Sequence, residues 1–160
     1  METESETPER FHPRDPDYDA RVRASFARQA FMATLGARLA AVEPGRVEIE
    51  LPFRADLAQQ HGFLHAGAAT AVVDSACGYA ALTLMPPAAA VLSVEFKVNL
   101  LAPGAGARFR AVGRVVRAGR TLTVCSGELV ALRDEPDGGV VVAMMQATMI
   151  AVREREGLSD

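Results

Sequence analysis

The chain has 160 residues, 49% of them apolar, and a formal net charge of −3. This length and composition fit one domain with a substantial hydrophobic core, and the acidic balance provides no basic field to attract nucleic acid or an anionic membrane. The two cysteines, Cys77 and Cys125, fall in apolar segments. That placement is typical of buried reduced thiols and not of a disulfide framework or a metal cluster.

The N-terminal residues 1–19 carry seven acids and three prolines. Such a segment has too few apolar side chains to pack, so we predict a flexible acidic arm. Because this start lacks the basic and apolar stretches of a secretory signal, we expect a soluble cytoplasmic protein. The apolar stretch from Ala66 to Leu92 is interrupted by Asp74 and two prolines, which argues against a membrane span.

A short amphipathic helix is predicted from Arg21 to about Leu35, with Gly36 as its stop signal. Two strands follow at 37–42 and 46–53, joined by the turn Glu43-Pro44-Gly45. In the second strand, apolar side chains alternate with charged ones, the period of a half-buried strand. We therefore predict a hairpin at this point in the chain.

The polar segment 59–65 leads into an Ala-rich apolar run that we predict to be a helix over 66–84. This run contains one carboxylate, Asp74. A lone acid in such surroundings loses several kcal/mol of hydration unless it has a partner or a function. The structural interpretation is that Thr70 or Ser75 satisfies it.

Four strands are predicted after the long helix, at 91–101, 108–117, 121–133 and 140–152. The order of helix, two strands, long helix and four strands excludes alternating βαβ units. We therefore predict an α+β fold in which one antiparallel sheet surrounds one buried helix rich in small residues. The predicted domain covers 20–153, and 154–160 form a C-terminal tail.

The segment His65-Ala66-Gly67, followed by six residues and then Asp74, resembles the His-Gly-Gly-x6-Asp signature of PaaI-type hotdog-fold acyl-CoA thioesterases. The similarity covers roughly residues 25–152 and includes the strand at 91–100 and the turn at 119–122. It implies a hotdog fold, in which an antiparallel sheet wraps around a long central helix. It also implies hydrolysis of acyl-CoA to a free acid and coenzyme A. Because the sequence has no metal or nucleotide motif, we expect the reaction to need no metal or cofactor.

The resemblance implies roles for particular residues. Asp74 corresponds to the general base or nucleophile, and the N–H of Ala66 to the donor that stabilises the oxyanion. Gln59, or its neighbour Gln60, corresponds to an amide that binds the carbonyl or the water, although it also fits a solvated loop. Ser93 corresponds to a hydroxyl that assists water, or is a surface strand residue.

Other candidate residues surround this signature. We expect His65 to orient the turn at the helix start, and we do not predict a metal site, because His61 and His65 lie in a turn without a third ligand. Gly67 at the helix start and Arg117 and Arg120 beside a turn are candidate contacts to coenzyme A. A solvated strand face is the alternative for the arginines.

Two other functions fit the same features. A hotdog hydratase or dehydratase acting on acyl thioesters is one, but its Pro-rich His motif is missing. A non-catalytic acyl-CoA-binding module is the other, yet the acidic first 20 residues do not resemble a DNA-binding segment.

The spacing of the signature also predicts self-association. Ala66 and Asp74 are eight residues apart, so they lie on the order of 12 Å apart along one helix. One carbonyl cannot contact both groups, which favours a homodimer, or a dimer of dimers, with sites shared between two chains.

Overall fold

A computed structural model describes residues 11–133, 138–153, 157 and 160. The remaining residues, which include the first part of the predicted arm, residues 134–137 and most of the predicted tail, lie outside the described residues. Six antiparallel strands form one sheet, in which the strands, numbered in chain order, lie as 1-2-4-5-6-3, and one long helix packs on this sheet. This is the predicted α+β hotdog arrangement. No helix in the described ranges is long and apolar enough to cross a membrane.

The elements follow the predicted order. The helices are α1 (Tyr18–Arg28), α2 (Ala30–Leu35) and α3 (Ala66–Leu82), with a short 3₁₀ turn at Ala55–Leu57. The strands are β1 (Arg38–Glu43), β2 (Arg46–Pro52), β3 (Ala90–Leu100), β4 (Arg108–Ala118), β5 (Leu122–Leu132) and β6 (Gly139–Val152).

Helix α3 lies unusually close to the sheet because glycines face it. A Cβ atom built on Gly113 of β4 would lie 2.2 Å from the carbonyl oxygen of Ala76, and one on Gly127 of β5 would lie 2.5 Å from Val73 Cγ1. No side chain fits at these distances. Gly113 therefore lets the backbone of β4 approach the backbone of α3 directly, and Gly127 makes room for the side chains of Val73 and Cys77. The helix residues at these contacts are fully buried.

The predicted single helix at 21–35 is two helices, which corrects the sequence interpretation. Gln29 adopts an extended conformation (φ −78°, ψ 92°) between α1 and α2. On one continuous helix with about 100° per residue, Leu35 would point about 140° away from Val22. The break allows both Val22 and Leu35 to be buried in the core, and it turns Gln29 away from the helical path.

The alternation predicted for β2 is present, since Val47, Ile49 and Leu51 are fully buried. The same pattern in β3 has a different outcome, because β3 is the edge strand. Phe96 and Leu100 lie opposite buried residues of β6 and so point to the concave face, yet they are 45% and 57% exposed. Helix α3 contacts the start of β3 through Asp74 and Ser93, but within one chain it leaves Phe96 and Leu100 partly uncovered.

Residue Arg21 fastens α1 to the end of α3. Its guanidinium donates hydrogen bonds of 2.7–2.9 Å to the carbonyls of Leu82, Met85 and Pro86. It also forms an ion pair of 3.1 Å with Asp15, whose side chain is buried. Asp15 belongs to the stretch predicted as an arm, so the end of that stretch is fixed to the domain.

Candidate active site

The centre of the candidate site is Asp74, which lies in the second and third turns of α3. Its side chain is half-buried, and Oδ1 accepts a hydrogen bond of 2.8 Å from Ser93 Oγ on β3. The predicted partners Thr70 and Ser75 do not make this contact. The structure thus brings together two of the predicted site residues that are 19 positions apart in the sequence.

The surroundings of Asp74 change its acidity. Burial raises the pKa of the Asp74 carboxyl above its ordinary value, and the hydrogen bond from Ser93 acts in the opposite direction. A raised pKa makes the ionised carboxylate a stronger proton acceptor than one in water. Asp74 is therefore suited to take a proton from a water molecule.

A cavity of about 310 Å³ opens beside Asp74. Four parts of the chain contribute to it: the junction of α1 and α2, one face of α3, the start of β3, and Asp160. The lining residues are Ser25, Arg28, Gln29, Asp74, Ser75, Gly78, Tyr79, Val91, Ser93 and Asp160. Most of these side chains are polar, which is unusual for a cavity this close to a hydrophobic core.

The start of α3 has one available N–H group. The N–H of Gly67 donates to His65 Nδ1 at 2.8 Å, and the N–H groups of Ala68 and Ala69 donate to the His65 carbonyl. Among the described residues, no acceptor faces the N–H of Ala66, which is the first residue of the helix. A free N–H at the positive end of a helix dipole is suited to stabilise a developing negative charge.

A second cavity, of about 520 Å³, lies at this helix start and is mainly apolar. It is lined by Gln59, Phe63, Leu64, Ala66, Ala69, Leu100, Leu101, Ala102, Pro103, Gly104 and Val142. Gln59 is held in its loop, because its carbonyl accepts from the N–H of Gly62 and its side-chain oxygen accepts from the N–H of His61. Gln59 and Ala66 therefore share one cavity, while Asp74 and Ser93 share another.

His65 is exposed and caps α3 through the hydrogen bond to Gly67. Accepting at Nδ1 leaves the proton on Nε2, which is free to donate. A third cavity, of about 320 Å³, touches both His65 and Gly67. In the part of the chain that is described, no three His, Cys, Asp or Glu side chains come close enough together to hold a metal ion.

The arginines named as contacts to coenzyme A are exposed near the turn between β4 and β5. Strand register relates them to Ser93, because Ser93 pairs with Met149, Met149 with Thr123, and Thr123 with Ala118. Arg117 and Arg120 therefore lie at the same end of the sheet as Ser93. The lateral separation from β3 to β4 is three strand spacings, or about 14 Å.

Neither cysteine is a candidate nucleophile. Both are free and fully buried. Burial raises the pKa of Cys125 to about 12 and also raises that of Cys77. Because the thiolate is the reactive form, these thiols are inert at neutral pH.

Several residues of the Asp74 cavity were not anticipated. Gln29 lies in a segment with good helix formers on both sides, so the sequence contains no signal for the break that turns it toward the cavity. Gly78 follows Asp74 by four residues on the same helix, and this spacing was the available clue. Tyr79 follows by five residues, a spacing that does not place it beside Asp74.

The chain resembles known thioesterases in sequence and structure. The sequence model of the thioesterase superfamily matches residues 61–136. A putative esterase from Saccharolobus solfataricus is 34% identical over 83 residues, which span 52% of this chain and 59% of that protein. A crystal structure of a thioesterase family protein from Silicibacter pomeroyi has 53% identity and a TM-score of 0.82, covering 86% of this chain and 99% of that one. The E. coli PaaI protein from the phenylacetic acid degradation operon, at 18% identity, shares the fold, with a TM-score of 0.76 over 89% of this chain and 96% of that one.

Proposed function

This chain belongs to the thioesterase superfamily, and we propose that it hydrolyses acyl-CoA thioesters to a free acid and coenzyme A. The observation that carries the proposal is the half-buried Asp74, hydrogen-bonded to Ser93 beside a cavity. The helix that holds this acid also offers a free N–H at its start. These are the two groups that thioester hydrolysis requires, a proton acceptor and an oxyanion donor.

In the proposed reaction, Asp74 removes a proton from a water molecule that attacks the thioester carbonyl carbon. The N–H of Ala66 binds the carbonyl oxygen as it becomes negative, and Ser93 orients the Asp74 carboxylate. The C–S bond then breaks, and the departing sulfur leaves as coenzyme A thiol with the proton that Asp74 accepted. Gln59 donates its amide to the carbonyl or the water, and His65 holds the helix start.

Two chains are needed to complete this site. Ala66 and Asp74 line different cavities, and their separation of about 12 Å along α3 is too large for one carbonyl. We propose a homodimer in which Gln59, His65 and Ala66 of one chain meet Asp74 and Ser93 of the other. The apolar, half-exposed concave face of edge strand β3 supports this assembly, because a long apolar edge is otherwise prone to non-specific association.

Coenzyme A carries phosphates that require cationic partners. Arg117 and Arg120 are exposed at the end of the sheet where Ser93 lies, and we assign them to these phosphates. Gly67 has no side chain and so lets coenzyme A come close to the backbone at the helix start. The free buried thiols agree with a reducing cytoplasm as the compartment.

The test is a hydrolysis screen over acyl-CoA esters, with the released thiol measured and a chelator present throughout. We expect turnover of at least one ester that persists with the chelator. Hydration of an enoyl-CoA without thiol release would assign the protein to the hydratases, and saturable binding without any reaction would make it a binding module.

A further inference from the structure

One face of α3 leads from the reacting group into the polar cavity. Gly78 is four residues after Asp74, and residues at this spacing are neighbours on a helix surface. Both line the cavity of about 310 Å³. A group bonded to the carbonyl that Asp74 serves would therefore extend directly over Gly78.

Gly78 differs from the glycines that pack the fold. A Cβ on Gly113 or Gly127 would meet neighbouring atoms at 2.2–2.5 Å, whereas a Cβ on Gly78 would meet nothing within 4 Å. Glycine inside a helix is less favourable than alanine, because it loses more conformational freedom on folding. Packing among the described residues does not require a glycine here, and its effect is to keep the cavity open.

The floor of the cavity carries weakly engaged polar groups. Ser75 is 8% exposed, and its Oγ contacts the side-chain amide of Gln29 only at 3.4–3.5 Å. Tyr79 is 6% exposed, and its hydroxyl lies 3.4 Å from Ser25 Oγ. Hydroxyl hydrogen bonds are normally about 2.7–2.8 Å long, and buried polar groups are usually well satisfied. These side chains line the cavity and can therefore form further hydrogen bonds with a ligand there.

We propose that this cavity binds the acyl group, that Gly78 sets the largest acyl group accepted, and that Gln29, Ser75 and Tyr79 bind an oxygen on it. The inference rests on the proposed thioesterase function and specifies its substrate class: coenzyme A esters of short acyl groups that carry a hydroxyl or keto oxygen. One water molecule takes up roughly 30 Å³ of liquid volume, so the cavity of about 310 Å³ has room for about ten water-sized groups.

The other half of the substrate does not suit this cavity. The pantetheine arm ends in a phosphorylated nucleotide that must reach solvent, whereas buried residues form the floor here. Asp160 also lines the cavity, where it accepts hydrogen bonds of 2.7 Å from Ser25 Oγ and the N–H of Val91. The charged groups that line the cavity are the carboxylates of Asp74 and Asp160 and the guanidinium of Arg28, so carboxylates predominate and the cavity does not favour phosphates.

The test compares wild type with Gly78→Ala, Gly78→Leu and Gln29→Leu. For each protein, kcat/KM is measured on acyl-CoA esters of increasing length, with and without a hydroxyl group. One methylene in a fitted pocket changes specificity by about 10–200-fold. We expect Gly78→Ala to lower the ratio of long to short esters at least tenfold, Gly78→Leu to lower it further, and Gln29→Leu to lower the preference for hydroxylated esters at least tenfold.

Ala24→Leu is the matched control, because it creates the same side chain as Gly78→Leu at an exposed position of α1 outside the cavity. Its acyl profile should equal that of wild type, and the melting temperature of Gly78→Ala should be equal to or above that of wild type. The assignment of the cavity to the acyl group would be wrong if both Gly78 variants lost kcat/KM equally on all esters. It would also be wrong if the dependence of kcat/KM on acyl length did not change.

A binding measurement separates this inference from the proposed function. Thioether analogues of acyl-CoA, which have a methylene between carbonyl and sulfur, cannot be hydrolysed. Calorimetric titration with these analogues should show weaker binding of the longer ones to Gly78→Leu. If the protein hydrolyses no ester but binding of the analogues still depends on their length, the proposed thioesterase function is wrong and the assignment of the cavity to the acyl group stands. If esters are hydrolysed but binding does not depend on length, only the assignment of the cavity is wrong.

Discussion

Ala66 and Asp74 both lie on helix α3, which packs against the sheet, and yet they line two separate cavities. Each cavity holds two of the predicted catalytic groups: the N–H of Ala66 and Gln59 in one, the carboxylate of Asp74 and Ser93 in the other. In the proposed mechanism, a single chain therefore does not bring all of these groups to one carbonyl.

Subunit mixing should restore activity to two inactive variants. Ala66→Pro removes the N–H at the first helical position, where proline is tolerated, and His65 already has the extended conformation that precedes proline (φ −64°, ψ 137°). Co-refolded in equal amounts with Asp74→Ala, it should give about a quarter of wild-type activity, since half the dimers are mixed and each has one intact site. Absence of recovery despite proven subunit exchange would rule out the shared site.

Replacing Asp74 by asparagine should lower kcat by at least roughly a hundredfold, the effect of removing a main catalytic group. The shape of the side chain is kept, so circular dichroism and oligomeric state should match wild type. Asp19→Asn is a suitable control, because Asp19 is a solvent-accessible acid paired with Arg23 on α1 and lines none of the three cavities. Comparable losses in both variants would contradict a catalytic role for Asp74.

The pH profile should respond to Ser93. Asp74 must be ionised to accept a proton, so activity falls as pH drops through its pKa. The hydrogen bond from Ser93 lowers the pKa of Asp74, and its removal in Ser93→Ala should therefore raise that pKa and move the acidic limb of kcat/KM to higher pH. Ser126→Ala on β5 makes the same change outside the cavities and should leave the limb in place. A shift of the acidic limb to lower pH in Ser93→Ala would contradict the prediction that this hydrogen bond lowers the pKa of Asp74.

Arg21→Met should destabilise the fold by roughly 3–5 kcal/mol, because it leaves the carboxylate of Asp15 buried without its partner. Three carbonyls at the end of α3 also lose a charged donor. The double variant with Asp15→Asn should be less destabilised than Arg21→Met alone. Urea unfolding followed by circular dichroism measures both, and a loss below about 1 kcal/mol for Arg21→Met would contradict the proposed anchor.

The fold was largely predictable because its signals are local. Alternation along β2 and the Ala-rich run of α3 each follow from short-range periodicity. The exposure of Phe96 was not predictable in this way, since β3 has the same alternation as a covered strand. Its burial depends on what lies beyond the sheet edge, which no local pattern records.

The candidate site was predictable only in part. Asp74 was identifiable as an isolated acid in an apolar run, and the resemblance added Ala66, Gln59 and Ser93. The cavity beside Asp74 was not, because its lining comes from segments as distant as Gln29 and Asp160. The break at Gln29 is imposed by the burial of Val22 and Leu35, so tertiary packing overrides a local helix preference there.

The contact between Gly113 and the carbonyl of Ala76 has a consequence for laboratory evolution of this protein. Since no side chain fits between β4 and α3, that backbone contact fixes the height of the helix above the sheet, and thereby the distance from Asp74 to Ser93. A library that varies Gly113 or Gly127 should yield mostly unfolded variants, whatever the substrate used for selection. Diversity directed at the cavity walls should keep the helix in place and alter only what enters beside it.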